Sequence, residues 1–171
     1  MLKIAVFGSA FNPPSLGHKS VIDSLSHFDK VLLVPSIAHA WGKEMLDYQI
    51  RCQLVDQFIS DIGRQNIERS RVEESLHQKG GAVTTFSVLS SLQQQNPNAE
   101  LTFVLGPDNL FNFAKFAHSD EIVKRWSILA CPEKITVRST EIRETLIKGL
   151  NVDHLTTDGV AQQLQRLGLY L

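Results

Sequence analysis

The chain has 171 residues, 43% apolar and 20% charged, with a formal net charge of -1. That size builds one domain with a full core. The balanced charge gives no bulk attraction to nucleic acid or an anionic membrane, and no apolar run is long enough to span a bilayer. Cys52 and Cys131 have no metal-ligand spacing and read as buried, reduced thiols of a cytoplasmic protein. The start of the chain runs directly into apolar residues without a basic region, so no signal peptide is expected.

Leu2–Phe7 reads as a buried first strand, followed by a small-residue turn and a helix over Leu16–His27 with Val21, Ile22, Leu25 and Phe28 facing inward. Val31–Val34 forms a second strand, stopped by Pro35. A helix over Asp47–Ile62 carries Ile50, Leu54, Val55, Phe58 and Ile59 on one stripe. A weaker strand is placed at Asn66–Val72. Gly80-Gly81 breaks the chain before a helix at Thr84–Gln95, which Asn96-Pro97-Asn98 ends. Leu101–Leu105 is a further strand. Short helices at Asn109–Phe116 and Ser119–Trp126 lead to a fifth strand, Ser127–Cys131. Ser139 or Thr140 caps a helix to Lys148, stopped by Gly149, and a last helix covers Thr157–Leu167.

Apolar strands without alternation, separated by helices, predict an α/β fold. The expected form is a Rossmann-like parallel sheet of about five strands with helices on both faces. Residues 1–137 form this core and 138–171 a small C-terminal helical segment, all in one domain.

Three motifs carry chemistry. In Gly8-Ser9-Ala10-Phe11-Asn12-Pro13-Pro14-Ser15-Leu16-Gly17-His18, small residues let backbone approach a ligand, and the following helix start attracts an anion beside His18. A plain strand-to-helix turn is the simpler reading of Gly8 and Gly17 alone. Leu105-Gly106-Pro107-Asp108-Asn109 follows a strand, where open parallel sheets bind ligands. Asp108 there serves as a ribose or metal acceptor, or as a helix cap. Ser139, Thr140 and Arg143 can grip phosphate through hydroxyls, backbone N–H groups and a guanidinium, or form a capped surface helix.

Together, GSAFNPPSLGH, LGPDNLFNFAKF and VRSTEIRETL resemble the ordered motifs of nicotinate/nicotinamide mononucleotide adenylyltransferases, members of the HxGH nucleotidyltransferases. The close, Leu167-Gly168-Leu169-Tyr170, is also similar, so the resemblance spans the chain. It implies transfer of AMP from ATP to a pyridine mononucleotide, with Mg²⁺ bridging phosphate oxygens. Neither nucleic acid nor membrane is implied as a partner, and oligomeric state is unreadable.

The resemblance implies catalytic roles for His18, Ser15, Lys43 and Arg143. ATP would be held by Gly8, Ser9, Ala10, Phe11, Gly17, His18, Gly106, Asp108, Ser139, Thr140 and Arg143. Phe11, Asn12, Lys43, Arg51, Thr84, Thr85 and Phe116 would hold the mononucleotide. No resident protein-bound metal is implied. Ser15, Asn12 and Arg138 depart from the family's His, Asp and Ser. Those departures keep two alternatives open: a related enzyme with another acceptor such as phosphopantetheine, or a weakly catalytic nucleotide-binding protein.

Overall fold

The computed structural model describes residues 1–38, 44–80 and 83–171, with Asp108 described by its backbone alone. Five strands form one parallel sheet: β1 (Lys3–Ser9), β2 (Lys30–Pro35), β3 (Ile67–Arg69), β4 (Glu100–Leu105) and β5 (Ser127–Ala130). Their spatial order is β3-β2-β1-β4-β5. The chain winds outward from β1 through β2 and β3, then crosses to β4 on the other side. The strand order therefore reverses between β1 and β4, and a crevice opens there at the carboxyl ends.

The central strands β1, β2 and β4 read as largely apolar runs because successive side chains enter two different cores. Ala5, Phe7, Val31, Leu33 and Val104 face one side. There they meet α1 (Leu16–Asp23), α2 (Tyr48–Ile62), α7 (Ser139–Ile147) and α8 (Asp158–Arg166), through residues such as Ile22, Phe58, Ile142 and Val160. Ile4, Val6, Leu32, Val34, Leu101 and Phe103 face the other side. They pack on α3 (Val72–Gln78), α4 (Thr85–Gln95) and α6 (Ser119–Arg125), through Val72, Leu89, Leu92 and Ile122. Truncating a fully buried ring such as Phe58 costs about 3–5 kcal/mol.

Several boundaries differ from the sequence expectation. The third strand is three residues long, and the chain then turns into α3, which the sequence reading missed. Glu73 and Glu74 in its first turn complement the helix dipole, while Val72 and Leu76 pack inward. The first helix ends at Asp23 rather than His27; turns after it still bury Leu25 and Phe28. The helix α5 (Pro107–Asn112) begins two residues early, with proline in its first turn, where its missing N–H costs nothing. A short 3-10 turn follows at Phe113–Lys115. Arg138, not Ser139 or Thr140, occupies the N-cap position of α7, and makes no side-chain cap bond. Among the described residues, no helix is long and apolar enough to cross a membrane.

Candidate active site

A cleft of about 270 Å³ lies at the β1/β4 crevice. The β1–α1 turn forms one wall, Gly106 and Asn109 a second, and the loop from Glu133 to Arg138 with the start of α7 a third. The three separated motifs thus meet in one place. Gly8, Ser9, Ala10, Phe11, Asn12, Ser15, Gly17 and His18 line it, as do Gly106, Ser139, Thr140 and Arg143.

His18 is held by both ring nitrogens. The Ser15 backbone N–H donates to Nδ1 at 3.0 Å, so Nδ1 is an acceptor and the proton of the neutral ring sits on Nε2. Nε2 lies 3.0 Å from Ser9 Oγ. Burial without a carboxylate partner lowers the His18 pKa to about 4, so the ring is neutral at physiological pH. Phe11 packs its ring 4.7 Å from the imidazole. Its backbone is left-handed, at φ 48°, and its side chain is fully buried. That conformation is costly for a side-chain-bearing residue, and burial of the ring offsets it.

Ser15 lines the cleft with its hydroxyl engaged within the protein. It is 1% exposed and caps α1: its Oγ accepts from the His18 N–H at 3.3 Å and donates to the Val137 carbonyl at 3.2 Å. The hydroxyl thus serves as the cap of α1 at the edge of the cleft. Gly17 follows for a steric reason. A Cβ there would collide with the Val137 carbonyl, so only glycine lets the loop before α7 lie against α1. A Cβ on Gly8 would meet only an ordinary contact, 3.7 Å from the Val34 carbonyl.

The C-terminal segment grips the turn. Arg143 Nη1 donates to the Asn12 carbonyl at 2.7 Å and Ser139 Oγ to the Pro13 carbonyl at 2.6 Å. Thr156 Oγ1 donates to the Pro14 carbonyl at 2.8 Å. Three consecutive carbonyls are thus each satisfied from residues after position 138. Arg143 Nη2 also holds Thr140 Oγ1 at 3.1 Å. α7 has no side-chain cap bond, and Ser139 and Thr140 of its first turn line the cleft.

Arg51 is likewise engaged within the protein. It is 1% exposed and donates to the carbonyls of Leu46 (2.7 Å), Ala10 (2.7 Å) and Ser36 (2.8 Å). It brackets the β1–α1 turn to the chain after β2 and has no surface to offer a ligand. Glu73 joins this bracket by accepting the Ile37 N–H at 3.1 Å, and burial raises its pKa to about 7.

The remaining acceptor-side residues stand apart from the cleft lining. Thr84 caps α4, accepting from Ser87 N–H at 3.1 Å, and Thr85 is the first helical residue. Phe116 packs on Phe103 and Phe113. Lys43 lies outside the described residues. Sequence reasoning missed Thr156, Tyr170 and Glu73. Only Tyr170 left a signal, in the similarity of the chain's close to the family pattern. Among the described residues, no group of three or more His, Cys, Asp or Glu converges as a metal site.

A doubly wound parallel sheet with an anion-seeking turn at its switch point defines a nucleotide-handling α/β protein. The cytidylyltransferase-like family model matches residues 6–147, and the chain belongs to that family. A candidate nicotinate-nucleotide adenylyltransferase from Vibrio parahaemolyticus, solved by crystallography, is 55% identical with a TM-score of 0.89. That match covers 99% of this chain and 96% of the other. A protein of Bordetella avium assigned as a nicotinate-nucleotide adenylyltransferase is 27% identical, covering 99% of this chain and 98% of its own. Plasmodium falciparum nicotinic acid mononucleotide adenylyltransferase complexed with NaAD shares the fold, with a TM-score of 0.78 at 15% identity over 99% of this chain and 98% of its own.

Proposed function

We propose that this protein transfers the adenylyl group of ATP to nicotinate mononucleotide, releasing pyrophosphate and forming the deamido dinucleotide. The observation that carries the reading is the convergence of the His18 turn and the α7 start on one cleft. The names of the relatives supply the acceptor. An oxygen of the mononucleotide phosphate attacks the α-phosphorus, and the bond to the β-phosphate breaks. The nucleophile is already anionic, so no general base is required. Catalysis falls to orientation and to stabilising charge on the leaving group.

The neutral His18 ring offers an Nε2–H donor to phosphate oxygen, exchanging Ser9 for substrate. The open N-terminus of α7, Thr140 and the Arg143 guanidinium receive the pyrophosphate end. Gly106 and the backbone at Asp108 flank the adenosine. Thr85 and Phe116 lie on the pyridine side, with Thr84 holding α4 there, and Lys43 is assigned to the mononucleotide phosphate by resemblance. Ser15 and Arg51 act through the elements they hold. Mg²⁺ enters as the ATP complex, on phosphate oxygens. Residues 1–171 work as one domain in which 138–171 closes the site.

The test is direct. Purified protein with MgATP should release pyrophosphate with nicotinate mononucleotide faster than with nicotinamide mononucleotide. No product from either, with folding verified, overturns the reading.

A further inference from the structure

Near the end of the chain, Tyr170 returns to the phosphate turn. Its hydroxyl donates to Asn12 Oδ1 at 2.6 Å, across 158 positions of sequence. Gly168 and Tyr170 both adopt left-handed backbone, at φ 60° and 63°, where the chain turns back. Leu169 and Tyr170 then pack against the core on the α1 side of the sheet. Glycine adopts that backbone freely and tyrosine does not, so the conformation is held by what the side chain reaches.

Asn12 is 5% exposed and lines the cleft. A second group also points at its side chain: the Leu46 backbone N–H, 3.2 Å from Oδ1. A backbone N–H can only donate, so the amide atom facing it is oxygen. The Tyr170 hydroxyl takes the other lone pair. With its oxygen accepting both of these bonds, the carboxamide has its Nδ2 donors left for another partner. Arg143 already fixes the carbonyl of Asn12, and Ser139 that of Pro13. The freedom left at this position is the side-chain torsion, and Tyr170 is the side chain that restrains it. Burial raises the pKa of the phenol, which keeps it a donor at working pH.

We propose that Tyr170 is a positioning residue for the acceptor nucleotide, locking the Asn12 carboxamide so that Nδ2 faces the mononucleotide phosphate. The proposal rests on the adenylyl-transfer reading above.

Tyr170→Phe in the full chain keeps the ring and removes only the hydroxyl. Its KM for nicotinate mononucleotide should rise about three- to tenfold, one hydrogen bond's worth, with kcat and the KM for ATP near wild type. In an Asn12→Ala background the same change should add little, since its effect runs through Asn12. A merely structural Tyr170 gives additive losses and an even effect on both substrates, which overturns the proposal. A second readout needs no substrate. In ¹⁵N-labelled protein, the Asn12 side-chain amide signals, assigned by their loss in Asn12→Ala, should shift in Tyr170→Phe while backbone signals of the sheet stay in place.

If wild-type protein turns over no mononucleotide, the functional reading fails and the amide signals alone decide whether Tyr170 fixes Asn12. Unshifted amide signals overturn that role. Shifted signals with an unchanged mononucleotide KM overturn the assignment to the acceptor.

Discussion

The two halves of the site are built differently. On the phosphate side, polar groups meet across long stretches of sequence: Ser15 with Val137, Ser139 with Pro13, Arg143 with Asn12 and Thr156 with Pro14. On the side we propose for the acceptor, Thr84 spends its hydroxyl on its own helix and Phe116 its ring on Phe103 and Phe113. The first half has donors fixed in place before any ligand arrives, as stabilisation of developing charge requires. The second consists of locally satisfied elements, so on the proposed reading recognition there rests on shape and on what the ligand itself brings.

The largest effect should follow from removing the fixed donor. His18→Ala deletes the Nε2–H group and should lower kcat about 100- to 1000-fold, the scale of losing one preorganised transition-state donor. It also strips the Ser15 N–H of its acceptor. The stability cost of that is about 1 kcal/mol, so melting temperature should move by only a few degrees. A variant with unchanged kcat would remove His18 from the reaction and collapse the contrast between the two halves.

Gly17→Ala attacks the same half through packing. The new Cβ must displace the Val137 carbonyl, and the loop it moves leads directly into Ser139 and Arg143. Overpacking of this kind costs about 1–3 kcal/mol. The shift of the α7 start should lower kcat/KM roughly ten- to a hundredfold. Gly8→Ala is the control, since its Cβ meets only ordinary contact; it should leave melting temperature nearly unchanged. Equal losses in both variants would mean that the turn needs glycine for ligand approach rather than for packing.

The same contrast explains what could be read from sequence. The strands were legible because two-sided burial leaves apolar runs, unbroken in Val31–Val34 and interrupted only by Thr102 in Leu101–Leu105. The long stripe of α2 was legible too. The motif residues of the phosphate side converge because the topology brings the ends of β1 and β4 together. The roles of Ser15 and Arg51 were not legible. Arg51 binds carbonyls from residues 10, 36 and 46, and a carbonyl is present at every position whatever the side chain. Tyr170 and Thr156 reach partners more than 140 residues away, so no local pattern marks them. The helix α3 was hidden by its seven-residue length, too short for a periodic signal to outweigh the adjoining strand.

Two half-buried titrating groups, one in each bracket of the site, should pull stability in opposite directions with pH. His18 has its pKa lowered from 6.5 to about 4 by burial. Its neutral form stabilises the fold above pH 6.5, and that contribution is lost as pH falls through 4. Glu73 is raised from 4.5 to about 7, again mainly by burial. Its protonated form stabilises the fold below pH 4.5, and that contribution is lost as pH rises through 7. The windows overlap, so the two slopes largely cancel. Melting curves at half-unit steps between pH 4 and 7.5 should separate them. In His18→Gln the melting temperature should fall with rising pH relative to wild type. In Glu73→Gln, whose amide oxygen can still accept the Ile37 N–H, it should rise more steeply than in wild type. Parallel curves for all three proteins would refute the assignment of both groups.

The smallest effect belongs to the acceptor side. Thr84 and Ser87 form a reciprocal cap, Thr84 N–H donating to Ser87 Oγ at 2.9 Å and Ser87 N–H to Thr84 Oγ1 at 3.1 Å. Thr84→Ala should therefore cost about 1 kcal/mol, the usual value of a lost N-cap. That corresponds to roughly 2–4 °C in a protein of this size. Thr84→Ser should restore it, because the hydroxyl and not the methyl makes the bond. If Thr84 serves only to hold α4, the KM for the mononucleotide stays at its wild-type value in both variants once the protein is folded. A rise in that KM for Thr84→Ala, larger than for Thr84→Ser and without further loss of melting temperature, would place the hydroxyl on the ligand. The acceptor side would then share the fixed-donor design of the phosphate side, with Thr84 exchanging its helix for substrate much as His18 exchanges Ser9.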